Sequence, residues 1–259
     1  MVTKKDIFSF LQSIGVTRND TVLIHTSMRS TGGVENGCDG LIDAFCEYLK
    51  EGLFIVPSHT WASVNKDNPS FDVRTSIPCI GALPCVAINR PDGVRSLHPT
   101  HSVVAFGKRA KEYISGEEKL HTPAPENGVW GRLYEENAKI LLIGVGHNRN
   151  TYLHVVDEIL DIKGRLEDEP FEAVITDYDG MVYKTEMFKH KGTYSEFFPN
   201  FKPALEQTGA VKYAKLGNAL VYCCDAKKCR DTVLYLWENA DHDIGASCEE
   251  IHIDKNKLT

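Results

Sequence analysis

The stretch Lys139-Ile140-Leu141-Leu142-Ile143-Gly144-Val145-Gly146-His147-Asn148-Arg149-Asn150-Thr151-Tyr152-Leu153-His154 decides the fold class. Ile140 to Gly144 is an unbroken apolar run closed by glycine, the pattern of a strand buried on both faces. Gly146 begins its exit loop. Thr151 is a residue type that opens helices, here one reaching about Leu160. Strand, tight turn and helix in succession make the repeating unit of an α/β sheet. The same alternation runs upstream. Thr3 and Asp6 cap a helix that carries Ile7, Phe10, Leu11 and Ile14 at helical spacing and ends at Gly15. Thr21 to Ile24 is a short β-rich run, followed directly by His25-Thr26-Ser27. A helix from about Asp39 to Leu49 and a strand from Leu53 to Val56 follow.

A long irregular stretch from Pro57 to about Pro78 comes next, of a length that is usually functional. Beyond it lie a helix near Gly81 to Asn89, a strand at Val103 to Phe106, and short helices at Lys108 to Ile114 and Trp130 to Glu136. After about residue 165 the pattern changes. Phe171 to Thr176 and Met181 to Met187 flank Asp177-Tyr178-Asp179-Gly180, a hairpin signal. A helix (Lys202 to Gln207), strand-like runs (Ala210 to Tyr213, Ala219 to Cys224), a helix from Asp225 to about Glu238 and a polar tail from about 241 to 259 complete the chain. The first part predicts an α/β sheet with helices on both faces. The later part is either a subdomain or an antiparallel extension of that sheet. At about 150 residues per domain, 259 residues allow one or two domains; the absence of a Pro/Gly/Ser linker favours one.

Composition narrows the function classes. The formal net charge of −7 argues against general nucleic-acid binding, which rests on Lys and Arg facing phosphates, and permits a cationic small molecule. No apolar run reaches the ~18 residues of a membrane span, and the N-terminus lacks the apolar core of an export signal. The eight cysteines form no Cys-x2-Cys pair and read as reduced thiols in a cytoplasmic protein.

Three segments bring polar groups to strand ends, where α/β sheets gather ligands. They are His25-Thr26-Ser27, Arg95 to Ser102, and Gly144 to Thr151 with His154 three residues on. Gly144-x-Gly146 begins like a dinucleotide fingerprint, but Arg149 stands where the third glycine belongs. His154 and Asp157 share a helix face. They read either as a general base oriented by a carboxylate or as a satisfied core histidine. His98 and His101 have ligand-like spacing without a third ligand nearby, and Gly-x-Ser-x-Gly is absent. His190, in Lys189-His190-Lys191, reads as a solvated turn.

Taken in order, VLIHTSMRSTGG (residues 22–33), FDVR (71–74), GVRSLHPTHSVVAFG (93–107) and KILLIGVGHNRNTYLH (139–154) resemble the aminoglycoside N3-acetyltransferase family. KLGNALVYCCDA (215–226) resembles its closing segment. The resemblance covers about residues 3 to 240 and weakens after 165. It implies a three-layer α/β/α fold around a central mixed sheet, with a hairpin-containing C-terminal part. It also implies transfer of acetyl from acetyl-CoA to an amine, by family default the 3-amino group of the 2-deoxystreptamine ring of an aminoglycoside, without a metal. An amine of another kind, or CoA binding with little transfer, is the alternative. By the same resemblance His154 is the general base, Thr151 holds the developing oxyanion, and Asp157 belongs to the catalytic group. His25, Thr26, Ser27 and Met28 line the CoA arm, and Arg95, Ser96, His98, Ser102 and Val103 form a second CoA-contacting loop. Asp72, Asp157 and Glu158 would meet a cationic acceptor. Asp157 stands where the family commonly shows Glu. The stretch Met187 to Gly192 lacks the acid that orients the histidine in well-studied members, and Lys189 and Lys191 would repel a polycation. The oligomeric state is left open.

Overall fold

The computed structural model describes residues 1–240, 242–245 and 250–253. The tail positions 241, 246–249 and 254–259, and with them Cys248, lie outside the described residues.

A seven-stranded mixed sheet forms the middle layer, in the order β4-β5-β2-β1-β6-β10-β9. Its centre is the parallel trio β2 (Leu53–Pro57), β1 (Thr21–Thr26) and β6 (Lys139–Ile143). Antiparallel strands flank it: β5 (Val103–Phe106) and β4 (Gly93–Arg95) on one side, β10 (Ala219–Asp225) and β9 (Val211–Leu216) on the other. The late hairpin β9–β10 is thus an extension of the main sheet. A second sheet joins β3 (Ser70–Asp72) to the hairpin β7 (Phe171–Thr176) and β8 (Val182–Met187).

The continuous apolar runs are explained by burial on two faces. Leu23, Leu53, Ile55, Ile140 and Leu142 enter one core. Their alternating neighbours Val22, Ile24, Phe54, Val56, Leu141 and Ile143 enter the other. Helices α1 (Lys4–Ser13), α2 (Gly37–Tyr48) and α3 (Ala82–Ala87) cover the second core through Ile7, Phe10, Leu11, Phe45 and Leu83. Helices α4 (Ala110–Tyr113), α5 (Arg132–Glu135), α6 (His154–Ile159), α7 (Lys202–Gln207) and α8 (Ala226–Glu238) cover the first. The result is the α/β/α sandwich, with Cys224 and Cys229 buried as free thiols. No helix among the described residues is long and apolar enough to cross a membrane.

Several boundaries differ from the sequence reading: β4 has no counterpart in it, and β9 runs to Leu216, past the expected Tyr213. β1 continues through His25 and Thr26, so these residues end the strand instead of following it. The stretch from Pro57 to Pro78 is not structureless: Ser70–Asp72 pairs with β7, which its three-residue length hid from any periodicity argument.

Candidate active site

The parallel strands β2, β1 and β6 all end at one edge. Antiparallel β5 begins there, with Val103 opposite Pro57. The edge therefore gathers His25-Thr26, Ser58-His59, the loop before Val103, and the exit from β6. Together with residues 189–196 they enclose a cleft of about 570 Å³, lined among others by His25, Thr26, His59, His101, Thr151, His154 and His190. That size suits a small-molecule site.

The exit from β6 needs Gly144. Its φ of 67° lies in the left-handed region, and a Cβ there would meet the side chain of Ser30. After Gly146 the chain makes two 3-10 turns, His147–Arg149 and Thr151–Leu153, so α6 starts only at His154. Thr151 and His154 both line the cleft.

His154 Nδ1 lies 3.1 Å from Asp157 Oδ2. Burial lowers the His154 pKa to about 4, against the pull of Glu158. Burial raises Asp157 to about 7, and the Arg165 guanidinium opposes that rise. Arg165 Nε is 3.9 Å from Asp157 Oδ1; its Nη2 donates to Asp243 at 2.6 Å, and its guanidinium lies over Tyr194. Where Asp157 is ionised it can only accept a hydrogen bond. The proton then sits on His154 Nδ1, and Nε2 is left with a lone pair.

The structure corrects the reading of His190 as a solvated turn. Its ring stacks on His154 at 3.9 Å between centroids, and its Nε2 is 3.1 Å from Glu158 Oε1. The backbone explains the approach: Glu167 N donates to Lys189 O at 2.8 Å and Lys191 N to Arg165 O at 2.7 Å, folding the loop inward. It also corrects the placement of Asp157 and Glu158 as contacts for a cationic acceptor. Glu158 is 6% exposed and accepts from Thr122 Oγ1 at 2.5 Å and Ala124 N at 2.8 Å; Asp157 is 4% exposed. Asp72 lies in the second sheet, not in the cleft, with its carboxylate gripped by the Arg74 guanidinium at 2.8 and 3.0 Å. Glu158 is held by hydrogen bonds on both oxygens and Asp72 by the Arg74 fork, while Asp157 is set apart by burial, its carboxylate hydrogen-bonded to His154.

The first loop reaches the cleft through His25 and Thr26; His25 Nε2 and Thr26 Oγ1 are buried and unpaired. Ser27 and Met28 follow at the sheet edge, where Ser27 N donates to Ile143 O at 2.9 Å. The side chains of the second loop, expected to contact CoA, form a buried knot behind the wall. Arg95 donates to Ser102 Oγ at 3.1 Å, Ser58 O at 2.9 Å and Ser76 O at 2.5 Å, and lies over Phe71. Ser96 Oγ accepts from Val103 N at 3.1 Å. His98 Nδ1 accepts from Thr100 and His101 N–H groups, which leaves Nε2 to donate to Thr122 O at 2.9 Å. Both nitrogens of His98 are thus used, so the ring has none left for a metal. Only His101 of this segment lines the cleft.

His59 escaped the sequence reading. It follows the end of β2 as His25 ends β1, so the strand-end rule applied to residue 59 would have found it. Its ring packs against His101 at 4.6 Å and Trp130 at 5.3 Å. Burial holds the pKa of His25 down at about 3 and those of His59 and His101 well below normal.

The sequence profile described as aminoglycoside 3-N-acetyltransferase matches residues 23–237. Aminoglycoside N(3)-acetyltransferase IV of Salmonella sp is 34% identical over 157 residues, which span 60% of this chain and 58% of that relative. A crystal structure of a histidine-to-alanine mutant of aminoglycoside acetyltransferase AAC(3)-IVa in complex with a gentamicin superposes with a TM-score of 0.78 at 26% identity, covering 92% of this chain and 89% of that one. AAC-IIIb in binary complex with CoASH has the same fold, with a TM-score of 0.79 at 20% identity over 91% and 96% of the two chains.

Proposed function

Because the chain belongs to the aminoglycoside 3-N-acetyltransferase family, we propose that it moves an acetyl group from acetyl-CoA to an amine, the 3-amino group of an aminoglycoside's 2-deoxystreptamine ring. The observation that carries this reading is the cleft-lining His154 with Asp157 at its Nδ1. An amine attacks only as the neutral base. His154 Nε2 takes the proton that the nitrogen sheds as it bonds to the thioester carbonyl carbon. The C–S bond then breaks, and the CoA thiolate leaves and is protonated from the imidazolium. Thr151, one 3-10 turn before His154, supplies a hydroxyl to the developing oxyanion. The pantetheine arm runs along His25, Thr26, Ser27 and Met28. The complexes of relatives with CoASH and with a gentamicin support this pairing of substrates. We take residues 1–259 as a single acetyltransferase domain working in the cytoplasm, where thiols such as Cys79 stay reduced.

Thiol release from acetyl-CoA, measured with a panel of gentamicin, sisomicin and apramycin, tests the reading. Wild type turns over at least one of them, and His154→Ala turns over none. Undiminished turnover in that variant removes His154 from the mechanism. A second reading rests on the cleft rim, where Arg149, Lys189 and Lys191 outnumber Glu167 and Glu196. It makes the acceptor a less cationic amine, or the protein a CoA binder with little transfer. Thermal stabilisation by CoA without acetylation of any aminoglycoside would favour it.

A further inference from the structure

We propose that His190, held by Glu158, is a positioning residue that fixes the ring of His154 in the cleft. The inference rests on His154 being the base. It begins from a duplication in the geometry: two imidazole–carboxylate pairs lie one on the other. His154 meets Asp157 at 3.1 Å, and His190 meets Glu158 at 3.1 Å. Adjacent residues of α6 supply the two carboxylates, and the rings stack at 3.9 Å with 27° between planes.

His154 packs against two rings: His190 stacks on it, and Phe198 lies edge-on at 4.7 Å between centroids. With Nδ1 tied to Asp157, neither side-chain torsion is free. Glu158 is itself fixed by Thr122 and Ala124, so His190 is a rigid backstop. Such support is what a general base needs, since a misplacement of about 1 Å costs about 100-fold in rate. The charged and titratable groups around the stack are Asp157 and Glu158 on α6, Arg165 behind Asp157, and His101, 5.2 Å from His190. His59 and His98 lie beyond it. Two rings this close do not both carry a positive charge, so an imidazolium at His154 faces a neutral His190 backed by a carboxylate. His190 thus fixes the ring before proton transfer and accommodates its charge afterwards.

The test compares His190→Ala and His190→Phe with wild type. His190→Ala is expected to lower kcat about 10- to 100-fold, with both KM values within about twofold and the melting temperature little changed. His190→Phe keeps the stacked ring and should recover part of the loss. Nitrogen-15 NMR of the histidines gives a readout that needs no acceptor. Wild-type His154 gives one sharp set of ring signals, and His190→Ala, with Asp157 still at Nδ1 but the stacked ring gone, gives a shifted, motionally averaged set. A kcat unchanged in His190→Ala, or an NMR signature identical to wild type, overturns the proposal. His154→Ala separates the two layers of reading. If that variant is inactive while His190→Ala is not, positioning alone fails; if it is active, the base assignment itself fails.

Discussion

Replacing Asp157 with Asn tests the chemistry of the site most sharply, because it changes the position of one proton and almost no volume. In wild type an ionised Asp157 accepts from His154 Nδ1 at 3.1 Å. An amide offers both an oxygen and an NH2, and Arg165 decides which faces the histidine. Its guanidinium, with Nε 3.9 Å from Asp157 Oδ1, is positive and attracts the amide oxygen rather than the NH2, which turns the NH2 toward His154. Nδ1 then accepts, the ring proton moves to Nε2, and the base atom is blocked. Loss of the correct tautomer is expected to lower kcat/KM by on the order of 10²- to 10⁴-fold with little change in KM. The same reasoning gives a pH profile. Burial pushes the Asp157 carboxyl up to about 7. Below that pH the protonated acid donates to Nδ1 and imposes the same wrong tautomer. Wild-type kcat/KM should therefore fall about tenfold per unit below neutrality, to roughly a tenth of its plateau at pH 6. Initial rates of thiol release from pH 5.5 to 8.5 measure this. Asp157→Asn within threefold of wild type, or a variant that keeps the acid limb, refutes the tautomer argument.

Other consequences follow from groups around the cleft. Arg95→Lys keeps a charge but loses the fork that ties Ser58, Ser76 and Ser102 together. It should cost on the order of 2–4 kcal/mol, read as a lower urea midpoint, and an unchanged midpoint would count against the knot. Gly144→Ala places a Cβ against Ser30 at a left-handed φ and should cost about 1–3 kcal/mol by the same assay. Seven histidines have pKa values lowered by burial: His25 to about 3, His98, His147, His154 and His190 to about 4, and His59 and His101 well below the ordinary value. The unfolded chain binds their protons near 6.5 and the folded chain does not, so stability is full above that pH and drains as pH falls toward 4. Asp157 and Glu117, raised to about 7 and about 8, act oppositely but are only two. The melting temperature should thus climb steadily from pH 4.5 to 6.5, and a flat profile would contradict neutral burial of the cluster.

The sheet was legible because burial on two faces writes itself as unbroken apolar runs. Ile140 to Ile143 and Leu53 to Val56 needed no context, and the Asp-Gly turn marked the β7–β8 hairpin. The His154–Asp157 pair was legible too, because helical spacing brings residues three apart together. What stayed hidden depends on long-range closure. Lys189-His190-Lys191 looks solvated in sequence because its flanks are charged. Only the backbone bonds to Arg165 and Glu167 turn the middle residue inward while its neighbours stay at the cleft. The roles of Arg95 and Glu158 failed to show for a related reason. A charged side chain reads as a ligand contact until the internal oxygens and N–H groups that occupy it are known, and those come from Ser58, Ser76, Thr122 and Ala124, scattered along the chain.

The distribution of charge in the cleft follows from the same burial. A wall of five histidines would repel a cationic acceptor if the rings were protonated. Depressed pKa values keep them neutral at working pH, so the wall presents polar atoms without positive charge. Behind it stand Asp157 and Glu158, too enclosed to bind an ammonium directly yet close enough to act on its field. Apart from Arg165 behind Asp157, the positive charge of the cleft lies at the rim, at Lys189, at Arg149 near Glu196 and at Lys191 paired with Asp168, which suits the phosphates of CoA under the proposed function and opposes a polycation approaching from the same side. The net charge of −7 is therefore a poor guide to acceptor preference. The local arrangement favours an amine that enters with one reactive nitrogen deep against His154 and few further cations near residues 189–191. Lys189→Glu with Lys191→Glu tests this without touching the base. KM for gentamicin should fall several-fold, and more at low salt than at high, because the interaction at issue is between exposed charges. A KM indifferent to both substitutions and to salt would place the acceptor's remaining amines away from this rim.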